Sequence, residues 1–179
     1  MIFNKVIDKS DFSSGSSIKI TKRIAVRAVI LKGNNLLMVH SKLGDYKFPG
    51  GGVKALENYD EALKREVLEE TGYRVKTINE KLGVIVERFN DSYEENCIFE
   101  MVSHYYLCTI EVDKTNQSLD DYEADLEFKP EFVDIEKAII ENKELLQDES
   151  REKRAWTQRE TLALSFIKEE LGTKKAGEC

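Results

Sequence analysis

Residues 49–52, Pro-Gly-Gly-Gly, constrain this chain more than any other feature. Proline lacks a backbone donor and glycine loses the most conformational freedom on ordering, so no regular element runs through this stretch. A helix follows almost at once. Asn58 is placed as an N-cap, and Glu61 three residues later completes a capping-box pattern. Residues 59–71 contain neither Pro nor Gly, and Gly72 supplies the stop. The spacing therefore predicts a tight bend at 49–52 leading into a helix over 59–71.

Extended segments surround this unit. Residues 23–31, RIAVRAVIL, read as a strand, 33–35 as a turn and 36–39 as the returning strand, with a short extended piece at 46–48. Residues 75–89 predict one or two strands with Gly83 as a bulge or bend, and 97–110 predict a longer one. The acidic stretch 113–129 reads as a loop, 131–134 as a short strand, and 135–146 and 152–171 as helices. In the last helix Trp156, Ala163, Phe166, Ile167 and Leu171 recur on one side. Strands broken by few helices imply a mixed-sheet α+β or α/β sandwich.

The chain has 179 residues, 41% hydrophobic and 34% charged, which suits one folded domain rather than a disordered chain or a membrane protein. Residues 1–21 are expected to be an N-terminal extension with a polar break at 13–17. Residues 22–146 are expected to form the domain. Residues 147–179 are expected to supply a C-terminal helix that packs on the domain or forms a homodimer interface. The first residues lack a basic start followed by an apolar run, so a cytoplasmic location is expected. Cys97, Cys108 and Cys179 form no C-x-x-C pair, which argues against a disulfide framework or a zinc site. A net charge of −7 argues against a groove for long nucleic acid, but not against a small anionic substrate met through a metal ion.

Glu66, Glu69 and Glu70 stand at i, i+3 and i+4, so they share one helical face with Ala62 and Leu63. Like charges at this spacing repel, and partly buried they are costly. One reading is a solvated acidic face. The other is a site for Mg²⁺, which takes carboxylate, water and phosphate oxygens. The upstream glycines favour the second, because they let backbone approach a ligand closely.

The stretch 51–73 resembles the Nudix box, G-x5-E-x7-R-E-U-x-E-E-x-G-U with U a bulky apolar residue. Its fixed positions are filled by Gly51, Glu57, Arg65, Glu66, Val67, Glu69, Glu70, Gly72 and Tyr73, with Phe48-Pro49-Gly50 before them. The likeness in element order runs from about residue 22 to about residue 145. Tyr73 stands where aliphatics are usual, Lys54 where many members have glutamate, and Leu56 where many have glycine. The resemblance implies an α/β/α sandwich. It also implies a pyrophosphohydrolase assisted by Mg²⁺ or Mn²⁺, which cleaves the diphosphate linkage of a nucleoside diphosphate derivative or a nucleoside triphosphate. Carried over position by position, Glu66 and Glu70 would be the main metal ligands, and Glu69 a further ligand or the general base. The Gly50 carbonyl would complete the metal shell, while Arg65 would pair with Glu57 and orient the helix. The alternatives are a non-catalytic nucleotide-sensing module of the same fold and an isoprenoid diphosphate isomerase. The latter normally needs a catalytic cysteine and added histidines that have no obvious counterpart here.

Outside the box, Arg27 either snorkels from a sheet edge or points into the substrate cleft to hold phosphate. Glu100 lies at an exposed strand end or in the cleft. The resemblance also implies a further acid from the loop before the last strand; Glu123 is the candidate there among Asp120, Asp121, Asp125 and Glu127, with a solvated acidic loop as the alternative. His40 and His104 read as structural. Tyr105 and Tyr106 read as core with base stacking as the alternative, and Trp156 is expected to pack the C-terminal helix.

Overall fold

A computed structural model describes residues 1–11, 18–150 and 155–176. The polar break at 13–17, the first residues expected in the last helix (152–154) and Cys179 lie outside the described residues. The elements in chain order are β1 (Phe3–Asp8), β2 (Lys19–Lys32), β3 (Asn35–His40), β4 (Tyr46–Lys47), α1 (Tyr59–Thr71), β5 (Tyr73–Asn90), β6 (Cys97–Lys114), α2 (Asp121–Asp125), β7 (Lys129–Asp134), α3 (Ile135–Gln147) and α4 (Ala155–Ala176).

The strands form one mixed seven-stranded sheet in the order β1-β5-β6-β2-β3-β4, with β7 paired to β3. Pairs β1/β5 and β2/β6 are parallel, and the others are antiparallel. β2 lies at the centre, and its residues from Ala25 to Ile30 are all buried. It is buried on both faces because helices cover both. Val26, Ala28 and Ile30 pack with Ala62, Leu63 and Val67 of α1. Val29 packs on the other side with Ala138 and Ile139 of α3 and Ala163, Leu164 and Ile167 of α4. This is the expected α/β/α arrangement with a mixed sheet.

Helix α1 has the predicted bounds. Asn58 accepts from the Glu61 amide and Glu61 accepts from the Asn58 amide, each at 2.9 Å. Gly72 takes the left-handed conformation at φ 76°, which a side chain would oppose.

The structure adds to two expectations. Residues 1–21 are not merely an extension. Phe3–Asp8 forms β1, and Phe3 is 4% exposed, its ring stacked on Phe166 at 5.4 Å and edge-on to Tyr105 at 5.4 Å. Gly83 accommodates that ring: a Cβ there would meet Phe3 carbon atoms at 2.2 Å. The stretch 113–129 is not all loop, because it holds the end of β6 and the helical turn α2. Asp120 and Glu123 cap α2 reciprocally, accepting from each other's amides at 2.9 and 3.0 Å, a repeat of the Asn58/Glu61 pattern.

Phe3→Ala is expected to lower the unfolding free energy by about 3 kcal/mol, as for a buried aromatic. Urea denaturation of the whole chain measures this. A loss under about 0.5 kcal/mol, the ordinary surface value, would mark β1 as a dispensable appendage.

Candidate active site

The glycine bend is held as an extra strand along β2. Val26 N donates to the Gly51 carbonyl at 3.0 Å, Ala28 N to the Pro49 carbonyl at 2.8 Å, and Val53 N to the Ile24 carbonyl at 2.9 Å. This close approach requires glycine. Gly50 sits at φ 140°, and a Cβ there would lie 2.1 Å from the Val26 carbonyl oxygen. A Cβ on Gly51 would lie 2.3 Å from a Glu66 carboxylate oxygen. The bend and the acidic face of α1 are therefore packed against each other.

Glu70 is 1% exposed, and each of its oxygens accepts one hydrogen bond. It accepts from the Gly50 amide at 2.8 Å and from Lys47 Nζ at 2.5 Å. Lys47 is itself buried, its ammonium 4.4 Å from the Phe128 ring centre. Glu66 accepts from Arg65 Nη1 at 2.6 Å, and burial pushes its carboxyl above the usual range. Glu123 reaches the same place from α2. Glu66, Glu70 and Glu123 each offer a carboxylate oxygen, all within 4.8 Å of one another. Burial first, and then the charge of Glu70, push the Glu123 carboxyl up to about 7. Three carboxylate oxygen donors within 4.8 Å of one another, beside a glycine bend, fit a hard divalent cation such as Mg²⁺ or Mn²⁺.

Glu69 is not in this trio. It stands at the rim and accepts from Arg65 Nη1 at 3.0 Å. Arg65 is the hub of the outer shell. It donates to both Glu57 oxygens, at 2.7 and 2.9 Å, and to the Gly52 carbonyl at 3.1 Å. The Arg65–Glu57 pair named from the box is thus formed. The Gly50 carbonyl accepts from Arg27 Nη1.

Arg27 is buried on central β2, so the edge-of-sheet alternative does not hold. It lines a cleft of about 360 Å³ together with Arg23, Lys47, Glu66, Glu70 and Glu123. Arg23, Glu66 and Glu123 also line an adjoining cleft of about 330 Å³, which reaches Glu69.

Glu100 fits neither of its readings. It is buried under Arg88 at 2.8 Å and Lys22 at 3.5 Å, and it does not line either cleft. His40 packs on Tyr46 at 4.7 Å and His104 on Tyr59 at 5.0 Å, and neither lines the two clefts. Burial lowers His104 to about 4. Tyr105 is core, edge-on to Phe48 at 5.6 Å. Trp156 does more than pack α4: its Nε1 donates to Asp45 at 2.7 Å and its ring lines the larger cleft.

The sequence reading missed Lys47, Arg23 and a buried charge cluster on α4. Arg159 donates to Glu160 at 2.7 Å and to Glu87 at 2.5 Å, and Glu160 lies 3.8 Å from Arg27 Nε. Only Lys47 carried a usable signal, being a charged residue next to the Phe48-Pro49-Gly50 run.

A family profile described as the NUDIX domain matches residues 21–159, and the chain belongs to the Nudix family. A relative from Bacillus subtilis (strain 168), named "Putative 8-oxo-dGTP diphosphatase YtkD", is 52% identical over 46 residues. That match spans 26% of this chain and only 28% of the relative's length. Among solved structures, a Nudix hydrolase from Nitrosomonas europaea superposes with a TM-score of 0.56 at 15% identity, covering 82% of this chain and 90% of that one. A MutT Nudix hydrolase from Burkholderia pseudomallei gives 0.54 at 18% identity, covering 82% and 98%. At these identities the two structures speak for the fold.

The Arg65 fork holds the Glu57 carboxyl down at about 2, chiefly through its hydrogen bonds. Because the folded value is depressed, the stabilisation is complete above the ordinary carboxylate range and is lost as pH falls through about 2. Carboxyl NMR titration of the wild-type chain is expected to place Glu57 near 2, and Arg65→Gln to return it toward the ordinary 4.5. An unchanged midpoint in the variant would refute the pairing.

Proposed function

We propose that this chain is a divalent-cation-dependent pyrophosphohydrolase. It cleaves the diphosphate linkage of a nucleoside diphosphate joined to another group, or of a nucleoside triphosphate. The observation that carries this is the convergence of Glu66, Glu70 and Glu123 within 4.8 Å at the glycine bend of a cleft that Arg23, Arg27 and Lys47 also line.

Glu66, Glu70 and Glu123 would hold Mg²⁺ or Mn²⁺. When bound, such an ion neutralises phosphate oxygens and acidifies a coordinated water. The remaining work falls to the chain. Lys47 and the Gly50 amide fix the Glu70 carboxylate, so its oxygens are oriented before any ligand arrives. Arg65 keeps α1 registered on the bend through Glu57 and the Gly52 carbonyl. Glu69, at the rim and within reach of the adjoining cleft, is the candidate to take the proton of the attacking water. Arg23 is exposed between the two clefts and supplies a guanidinium for phosphate oxygens. The substrate is a small molecule. The net charge of −7 and the absence, among the described residues, of any helix long and apolar enough to cross a membrane suit that partner.

Glu70→Gln and Glu123→Gln are each expected to reduce Mg²⁺-dependent hydrolysis by about 100-fold or more, with circular dichroism unchanged. The assay measures phosphate or nucleotide release over a panel of nucleoside triphosphates, including 8-oxo-dGTP, and linked nucleoside diphosphates. Failure of the wild-type chain on the whole panel with Mg²⁺ and Mn²⁺ would sink the hydrolase reading. Full activity of Glu123→Gln would remove Glu123 from the metal site.

A further inference from the structure

We infer that Gln117 is a positioning residue for the cation site: its side-chain amide closes the loop that carries Glu123 and so sets that carboxylate beside Glu66 and Glu70. The inference deepens the hydrolase reading and rests on the acid trio being where the cation binds.

Glu66 and Glu70 share one helix, whereas Glu123 arrives from a separate stretch of chain. It sits in α2, a helix of five residues, none of them buried. So short a helix is costly to nucleate, and its reciprocal cap between Asp120 and Glu123 lies within the turn itself. Neither feature ties α2 to α1. The far end of the loop is fastened elsewhere. Leu126 and Phe128 pack with Val39 of β3, and Lys42 N donates to the Leu126 carbonyl at 2.8 Å. A link from this end to α1 is what brings the third acid to the other two.

Gln117 supplies that link. Its Nε2 donates to the Glu70 carbonyl at 2.6 Å and to the Phe128 carbonyl at 3.0 Å. A carboxamide nitrogen carries two N–H groups, and both are spent on these carbonyls. One acceptor belongs to a residue whose carboxylate is in the trio. The other lies 11 residues further along the chain, beyond Glu123. The Phe128 amide in turn donates to the Glu123 carbonyl at 3.2 Å. A chain of hydrogen bonds thus runs from Glu70 through Gln117 and Phe128 to Glu123.

Helix capping explains only part of this. The last turn of α1 leaves carbonyls without intrahelical donors. Ser118 N takes the Glu69 carbonyl at 2.9 Å, and Thr115 N takes that of Gly72 at 2.8 Å. Gln117 could cap Glu70 in the same way with a single bond. Its second bond, to Phe128, adds nothing to α1 and closes the loop around Glu123.

A double-mutant cycle on Mn²⁺ affinity separates the two roles, with the ion read by electron paramagnetic resonance. It compares the wild-type chain, Gln117→Met, Glu123→Gln and the double variant. Gln117→Met keeps the length of the side chain, removes both donors and is expected to weaken Mn²⁺ binding by about 10-fold. Glu123→Gln is expected to weaken it at least as much. Because Gln117 acts through Glu123, the double variant should match Glu123→Gln within about twofold. Losses that multiply in the double variant would make Gln117 a helix cap only and overturn the inference. Unchanged binding in either single variant would do the same. Turnover is measured on the same samples and judges the hydrolase reading separately: a wild-type chain that binds Mn²⁺ but cleaves nothing ends that reading, and the cycle still decides Gln117. A wild-type chain that binds no Mn²⁺ overturns the cation site and this role with it. Should Gln117→Met not fold, as read by circular dichroism, exchange of the Gln117 side-chain amide protons in the wild-type chain decides by NMR. Slowed exchange supports the closure, and exchange as fast as in free glutamine overturns it.

Discussion

Two carboxylates on the inward face of α1 set the terms for this structure. Glu66 and Glu70 lie one turn apart, 9% and 1% exposed, where Ala62, Leu63 and Val67 also face the core. Burying a charge without partners costs several kcal/mol, more than a helix of 13 residues recovers from its own propensity. The chain meets this cost locally. The Gly50 amide and Lys47 take Glu70, and Arg65 takes Glu66. Each partner is constrained in turn. Gly50 and Gly51 cannot carry a Cβ, and Lys47 is sandwiched under Phe128, so neighbouring positions lose their freedom to vary. An arrangement that expensive is hard to justify as structure alone, since apolar residues of similar size would pack the same face at lower cost.

The bend can meet α1 because β2 is central. A strand with neighbours on both sides normally has its backbone groups spoken for. Here β6 pairs with β2 from Lys19 to Ile30, whereas β3 pairs only at Leu31 and Lys32. The donors of Val26 and Ala28 on the β3 side are left to the Pro49 and Gly51 carbonyls. The sheet therefore divides between β2 and β3, and the divide is filled by the bend instead of a strand. This gap is where α1 on one layer and the cleft on the other come into contact.

How much of this was legible in the sequence depends on the range of the interaction. The helix 59–71 was readable to the residue because both its caps are local: Asn58 with Glu61, and Gly72. The Glu57–Arg65 pair spans one face of a loop and helix and followed from the family resemblance. α2 was equally readable, since Asp120 and Glu123 repeat the same capping chemistry, but a run of acids hid it. β1 was missed for another reason. The pattern of Phe3–Asp8 is ordinary, and only the hole left by Gly83, eighty residues on, marks Phe3 as core. Arg27, Glu87, Arg159 and Glu160 could not be grouped from sequence, because their proximity is a product of strand register and the return of α4. Charge in an apolar run was visible at Arg27, but its partners were not.

That return of α4 matters for the bend itself. β4 is two residues long, too short to hold its own geometry. Its flanks are instead clamped from the start of α4. Trp156 Nε1 and Thr157 Oγ1 donate to Asp45 at 2.7 and 2.9 Å, and Glu160 accepts from the Phe48 amide at 3.4 Å. Asp45 and Phe48 bracket Tyr46 and Lys47, and Lys47 is the residue that binds Glu70. The orientation of the buried carboxylate thus depends on a helix more than a hundred residues away in sequence. The box supplies two of the three acids and the second half of the bend, while the C-terminal helix fixes where the bend begins. A motif that looks self-contained in the sequence is therefore only half of the unit that folds.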